Sequence, residues 1–451
     1  MTQREEVPDG TLRKAVGASA IGNAVEWFDY GVYAYGVTYI SAALFPEGED
    51  AVAFTLLGFA LSFLIRPLGG LFWGPLGDKI GRKRVLAATI LLMAGSTFLV
   101  GLIPSYTTIG IAAPILLYSL RMLQGFSTGG EYGGAATFMA EYAPDRKRGF
   151  WGSFLEVGTL AGFSAGALLM LGLITVLDES TMQDWGWRLP FLIAGPLGMI
   201  GMYLRSRMED TPVFQELDTK HEVESSVGGE FKDLFSEYWP QILQLFGLVI
   251  ALNVVNYTLL SYMPTYLEGS IGLNETEVLV VPIIGMLVMM LLLPAVGALS
   301  DRVGRKPMWA ASLIGLSVLA VPLYKLMATS LAGAIVGFLV LGLLYTPQLA
   351  TISATFPAMF PAPVRFAGLA ISYNVATSMF GGTAPLVNER LISSTGDQLW
   401  PAYYMIGACL IGLVSVFFMI ETKGASVRGT EIPGTPESIE ETGVDPTTTP
   451  A

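Results

Sequence analysis

Apolar residues fall along this chain in twelve long runs separated by short polar links: roughly 15–44, 51–74, 85–103, 109–140, 149–177, 187–205, 240–267, 278–299, 309–327, 331–358, 366–388 and 400–420. A helix needs about 20 predominantly apolar residues to cross the hydrocarbon core of a bilayer. The pattern therefore predicts an all-α membrane protein of twelve transmembrane helices. The first run carries Glu26 and Asp29, which sets it apart from a removable signal peptide.

The polar links add orientation and domain boundaries. Only Arg188, Lys325 and Arg390 fall in links between odd and even runs, while basic clusters such as Arg82-Lys83-Arg84, Arg146-Lys147-Arg148 and Arg305-Lys306 fall in even-to-odd links. The positive-inside rule then puts both termini in the cytoplasm. Residues 206–239, rich in Glu, Asp, Ser and Gly, read as a cytoplasmic linker between a six-helix bundle at 1–205 and a second at 240–421. Residues 422–451 hold Pro, Thr, Gly and Glu with few apolar side chains, and read as a disordered tail.

Composition narrows the chemistry. Apolar residues make up 52% and charged residues 14%, with a net charge of -12, so the chain is neither a soluble globular domain nor a nucleic-acid binder. Cys409 is the sole cysteine and lies in an apolar run, which leaves no disulfide framework or thiolate metal site. His221, the sole histidine, sits in the most polar segment and suits an exposed loop better than a hydrolase triad. No Gly-Lys pair occurs, so a P-loop is excluded and work must come from a gradient or a partner. Neither an enzyme nor a resident cofactor or metal is expected.

The two halves repeat. Gly74-Pro75-Leu76-Gly77-Asp78-Lys79-Ile80-Gly81-Arg82-Lys83 after run two matches Gly297-Ala298-Leu299-Ser300-Asp301-Arg302-Val303-Gly304-Arg305-Lys306 after run eight. Pro144 and Arg148 after run four are echoed by Pro361 and Arg365 after run ten. Glycine suits a tight turn with close helix approach. The Asp78 and Asp301 carboxylates can bridge to a neighbouring helix end, and the basic residues can pair with acids such as Glu141 or with lipid phosphate.

These loops resemble the signature of the major facilitator superfamily. The resemblance implies two bundles rocking about a midplane site, with Asp78, Gly81, Arg82, Glu141, Arg148, Asp301, Gly304 and Arg305 in the gating set. Gly22-Asn23-Ala24-Val25-Glu26-Trp27-Phe28-Asp29-Tyr30, Arg66-Pro67-Leu68-Gly69-Gly70, Gln124 to Tyr132 and Trp185 to Phe191 are similar to the metabolite:proton symporter family. Leu155 to Phe163 and Gly247 to Leu267 are most similar to its proline/betaine osmoprotectant branch. The implied function is proton-coupled uptake of a small zwitterion such as glycine betaine, proline or ectoine across a bacterial cytoplasmic membrane, the proton being the coupling ion. The alternatives are a proton symporter of an organic acid (2-oxoglutarate, citrate, shikimate) and an uncoupled facilitator. Osmosensory members can carry a coiled-coil tail, whereas the segment after Glu421 has no heptads.

A charge at the centre of a membrane helix costs at least roughly 2.5–3.5 kcal/mol. Glu26, Asp29, Arg121, Glu131 and Glu156 lie inside runs of the first half, whereas the second half carries Asn253, Asn256, Gln348 and Asn374. That division places proton coupling in the first half. Asp29 and Arg121 resemble the acid and arginine that couple proton and solute in related symporters: contact keeps Asp29 ionised, and separation in a low-dielectric cavity lets it take a proton. Glu26 and Glu131 could serve instead. Helical spacing puts Asn23, Glu26, Asp29/Tyr30 and Tyr33 along one stripe. With Trp27 and Glu156, and with Asn253, Asn256, Tyr257, Tyr373 and Asn374 from the second half, they are the expected solute contacts. Aromatic faces such as Trp27 or Tyr30 would hold a quaternary ammonium, and a basic side chain or amide its carboxylate.

Overall fold

The computed structural model describes residues 9–206 and 236–443, apart from 49, 81 and 130. Helices occupy every apolar run. The first half contains α1 (Asp9–Tyr35), α2 (Val37–Leu44), α3 (Ala51–Leu64), α4 (Arg66–Ile80), α5 (Arg82–Val100), α6 (Ala112–Thr128), α7 (Glu131–Tyr142), α8 (Arg148–Val176) and α9 (Leu189–Ser206). The second contains α10 (Trp239–Asn256), α11 (Glu275–Val303), α12 (Arg305–Met327), α13 (Leu331–Thr355), α14 (Arg365–Ala376), α15 (Ala384–Thr395) and α16 (Trp400–Phe418). Among the described residues, seven helical stretches, from Ala51–Trp73 to Trp400–Phe418, are long and apolar enough to cross a membrane. Their outward faces expose Leu71, Phe72, Leu291, Val318 and Phe417. So much exposed apolar surface suits hydrocarbon rather than water.

The helices sort into two bundles. In the first, α1 packs on α8 and α9, and α5 on α6 and α9; in the second, α10 packs on α16, and α12 on α13 and α16. The bundles meet chiefly where α8 crosses α11. Gly149 and Gly297 allow that crossing: a Cβ on either would collide with the other's carbonyl oxygen.

Two prolines create inter-bundle contacts. Pro67 has no amide hydrogen, so the Phe63 carbonyl one turn earlier loses its helical donor. Ser378 Oγ of the second bundle donates to that carbonyl at 2.7 Å. Pro264 stands in the same relation to Leu260, whose carbonyl accepts from Tyr35 Oη of the first bundle at 3.0 Å. The chain winds into π turns at Tyr257–Tyr262, Leu267–Ile271 and Thr377–Gly381. Such wide turns gather at functional sites.

In the segment after Glu421, for which composition predicts disorder, residues 423–429 pack against the end bearing the repeated loops. Both backbone and side chains make the attachment: Lys423 Nζ donates to Arg302 O at 2.8 Å. Arg148 Nη2 donates to Ala425 O at 2.8 Å, Arg365 Nη2 donates to Val427 O, and Ala362 N donates to Gly429 O at 3.2 Å. The short α17 (Pro436–Thr442) follows. Most of the expected linker 206–239 and residues 444–451 lie outside the described residues.

Candidate functional site

The centre of the molecule is aromatic. Trp27 and Tyr30 of α1, Phe59 and Phe63 of α3, Phe163 of α8 and Tyr257 of the second bundle form one ring cluster. The Phe63–Tyr257 centroids are 5.1 Å apart, Trp27–Phe163 5.3 Å and Trp27–Tyr257 6.2 Å. Arg66, which opens α4, enters this cluster. Its guanidinium carbon lies 4.0 Å from the Phe63 centroid, and its Nη2 donates to Tyr30 Oη at 2.5 Å. A cation stacked on aromatic faces gains from the ring quadrupole once desolvated.

A second buried arginine lies within the first bundle. Arg121 sits 4.0 Å over the Tyr33 ring and donates to Gln124 Oε1 at 2.5 Å. Gln124 Nε2 donates to Thr97 Oγ1 at 3.1 Å, and Thr97 Oγ1 donates to Asp29 Oδ2 at 3.0 Å. Asp29 and Arg121 are thus joined through two uncharged side chains and make no direct ion pair. Asp29 Oδ1 is buried with no hydrogen-bond partner among the described residues.

The expected stripe on α1 fans out rather than facing one chamber. Asn23 Nδ2 donates to Leu155 O at 2.8 Å and to Thr159 Oγ1 at 2.7 Å, tying α1 to α8. Its Oδ1 accepts from Trp27 Nε1 at 3.1 Å. Tyr33 Oη donates to Thr55 O of α3 at 2.7 Å. Glu26, Glu156 and Tyr373 are buried, and the Tyr373 ring centroid lies 6.4 Å from that of Phe356. In the second bundle Asn253 Nδ2 donates to Thr377 Oγ1 at 2.9 Å, and Asn256 Oδ1 accepts from Tyr345 Oη at 3.0 Å. Asn374 is buried on α14. Glu131 opens α7, Asp78 lies in α4 and Arg82 opens α5, but their side chains, like all of Gly81, lie outside the described residues.

Both ends of the interface are closed. At the end with the repeated loops, Asp301 of α11 accepts from Gly149 N at 2.8 Å and Phe150 N at 2.9 Å. The carboxylate therefore caps the N-terminus of α8, a helix of the opposite bundle, where the helix dipole favours negative charge. Arg305 Nη2 pairs with the same carboxylate at 2.6 Å. Arg365 Nη1 pairs with Glu141 across the bundles at 2.9 Å, and Arg148 with Asp145 at 2.6 Å. Gly304 has φ 111°, a conformation open to glycine, and a Cβ there would meet the Glu421 carboxylate. Glu421 accepts from Arg305 N at 2.9 Å and Lys306 N at 3.0 Å, capping α12. At the far end Thr38 donates to Glu268 at 2.6 Å, Tyr39 to Glu275 at 2.8 Å, and Arg390 pairs with Asp50 at 2.5 Å.

Sequence reasoning placed Arg66 inside a span but gave it no role. Its signal was available: an intramembrane charge beside a proline. Thr97, Gln124 and Phe63 carried no such signal.

Two bundles closing on a buried polar and aromatic centre define a class. The profile of the Major Facilitator Superfamily matches residues 20–384, and the chain belongs to that superfamily of multi-pass membrane transporters. More specific likenesses follow. The chain is 44% identical over 432 residues to the proline/betaine transporter of Escherichia coli K12, covering 94% of this chain and 86% of that one. It is 43% identical over 432 residues to the glycine betaine/proline/ectoine/pipecolic acid transporter OusA of Dickeya dadantii, with the same two shares covered. It is 42% identical over 440 residues to the ectoine/proline transporter ProP of Corynebacterium glutamicum, covering 94% of this chain and 87% of that one. Among solved structures it is similar to the proton:xylose symporter XylE bound to 6-bromo-6-deoxy-D-glucose. The TM-score is 0.71 at 15% identity, over 94% of this chain and 99% of that one. At that identity the likeness is one of fold.

Proposed function

We propose that this chain takes up a small zwitterionic osmolyte, such as glycine betaine, proline or ectoine, together with a proton, by alternating access across a bacterial cytoplasmic membrane. Twelve spans in two six-helix bundles, with both termini and the 206–239 linker cytoplasmic, are the topology this reading requires. The relatives named as proline, betaine and ectoine transporters support the substrate class.

The observation that carries proton coupling is the buried chain Asp29–Thr97–Gln124–Arg121. An acid inside a membrane protein that meets its arginine only through neutral groups is poised to take a proton, because a low dielectric disfavours its charged form. A shift of α6 against α1 that brought Arg121 into direct contact would favour release. Glu26 and Glu131 are the alternative carriers. The Asp301 cap, the Arg365–Glu141 pair and the far-end contacts would break and reform as the site changes sides, with Arg148, Gly304 and Arg305 shaping the turns.

One proton moving with a neutral solute gains about 2.3 kcal/mol per 100 mV of membrane potential, enough for roughly tenfold or greater accumulation. The test is labelled uptake into sealed proteoliposomes with a protonophore arm and competition by betaine, proline, ectoine, 2-oxoglutarate and shikimate. Zwitterions should compete and the protonophore should abolish accumulation. Competition by 2-oxoglutarate or shikimate alone, or uptake indifferent to the protonophore, would overturn the reading.

A further inference from the structure

Two buried hydrogen-bond donors, one from each bundle, border the same central ring with no partner among the described residues. Arg66 Nε, from the first bundle, and Tyr257 Oη, from the second, each lack a partner among the described residues. Arg66 is 3% exposed and Tyr257 0%. Orphaned polar atoms also occur on Arg148, Arg305, Trp187 and Trp309. Those on Arg148 and Arg305 lie at the end with the repeated loops, and none of the four residues joins the central ring cluster; Arg121 Nε is also unpartnered, but its guanidinium carbon lies 4.0 Å from the Tyr33 centroid, 5.6 Å from Phe59 and 5.8 Å from Tyr30, all rings of its own bundle. Arg66 and Tyr257 differ because both border one aromatic ring, Phe63, at 4.0 Å and 5.1 Å, from opposite bundles.

An unpaired buried donor costs about 1–3 kcal/mol, and more when charged. A group that accepts from both at once removes both penalties. A carboxylate is acceptor-only and has two oxygens, one for each donor. We infer that Arg66 and Tyr257 form a carboxylate clamp across the bundle interface, which holds the acid end of the transported solute. This inference rests on the zwitterion reading above and assigns the solute's direction within the site.

The surroundings select what the rest of the solute carries. Glu26 follows Asn23 on α1 by three residues, and Glu156 lies between Leu155 and Thr159, the two α8 residues to which Asn23 donates; both carboxylates are buried. The rings of Trp27 and Tyr30 complete the wall, with centroids 5.6 Å apart. Negative charge and aromatic faces suit an ammonium, best a methylated one. A second carboxylate there would meet two acids. The centre thus offers a solute both signs of charge, Arg66 basic and Glu26 and Glu156 acidic, all three buried. A short zwitterion matches it, and a dicarboxylate does not. Because one donor comes from each bundle, the bound carboxylate also draws the bundles together.

The test is equilibrium binding of labelled glycine betaine to the full chain in nanodiscs, with choline and 2-oxoglutarate as competitors. Tyr257→Phe keeps the ring and removes one donor. Arg66→Lys keeps the charge and removes the forked geometry. Unliganded melting temperatures verify folding, and uptake by the wild type is measured alongside. Betaine affinity should fall about tenfold in Tyr257→Phe and more than a hundredfold in Arg66→Lys, matching the loss of one bond and of the charged anchor. Choline, which has the ammonium but no carboxylate, should compete weakly and equally in all three proteins. Folded variants that bind betaine as the wild type does would overturn the clamp, while wild-type betaine uptake would leave the osmolyte reading standing. Choline competing as well as betaine would also overturn it. Effective competition by 2-oxoglutarate, lost in Arg66→Lys, would support the carboxylate anchor and overturn the zwitterion reading. A wild type that binds none of the three probes would overturn both.

Discussion

Replacing Asp301 by alanine should weaken closure at the end with the repeated loops. The Asp301 carboxylate accepts from Gly149 N and Phe150 N at 2.8 and 2.9 Å, and these amides belong to the other bundle. Its side chain is 8% exposed, so water competes little while the end is closed. Hydrogen bonds to a charged group contribute about 1.5–3 kcal/mol each. Two that share one carboxylate come to about 3 kcal/mol. Once the bundles part, water reaches the two amides, so the loss falls on the closed form alone. An energy of about 3 kcal/mol is roughly a hundredfold in the conformational equilibrium. A closed state favoured about a hundred to one would then drop to near parity. Spin labels at the exposed positions Lys147 and Arg302 report the separation directly. Cys409, the sole cysteine, is replaced by serine to give a clean background. Asp301→Ala should move much of the distance distribution to longer values, and Asp301→Asn, which keeps one acceptor oxygen, should move less. An unchanged distribution in folded Asp301→Ala would refute the claim that this carboxylate bridges the bundles.

Other outcomes follow from the same contacts. Gly297→Ala should force α8 and α11 apart, because its Cβ would strike the Gly149 carbonyl; the Lys147–Arg302 label pair should lengthen, and transport should slow by tenfold or more. Ser378→Ala leaves the carbonyl freed by Pro67 without its donor and should destabilise the far-end-closed form by about 1–3 kcal/mol, read as faster labelling of a cysteine placed at Thr38. Removing residues 425–443 takes away the acceptors of Arg148 and Arg365 at Ala425 and Val427; the same label pair should show a more open end, and unchanged distances would show that the tail does not hold it.

Much of this architecture is legible in the sequence, because lipid imposes a strong pattern. Apolar length fixed where helices could form, and the duplicated Gly-x-x-x-Asp-x-x-Gly-Arg-Lys motif marked loops needing a tight turn, as Gly304 shows with its φ of 111°. The hydrogen-bonded chain from Asp29 to Arg121 is half visible in the sequence. Both charges stood out, but Thr97 and Gln124 are ordinary polar residues until the fold places them between. The stripe on α1 was read by periodicity alone, and periodicity does not say which neighbour each side chain meets; Asn23 meets α8 and Tyr33 meets α3. Pro67 and Pro264 announce freed carbonyls. The hydroxyls that fill them, on Ser378 and Tyr35, lie hundreds of residues away and carry no local mark. Composition likewise says nothing of the backbone carbonyls of Ala425 and Val427, which accept from Arg148 and Arg365.

The central claim is that a proton rides on Asp29. The most direct measurement compares wild type and Asp29→Asn in proteoliposomes, following labelled glycine betaine driven by an inward proton gradient and, separately, its exchange at equal concentrations on both sides. The account predicts that Asp29→Asn loses gradient-driven accumulation and keeps exchange. Accumulation by Asp29→Asn equal to that of the wild type would contradict it.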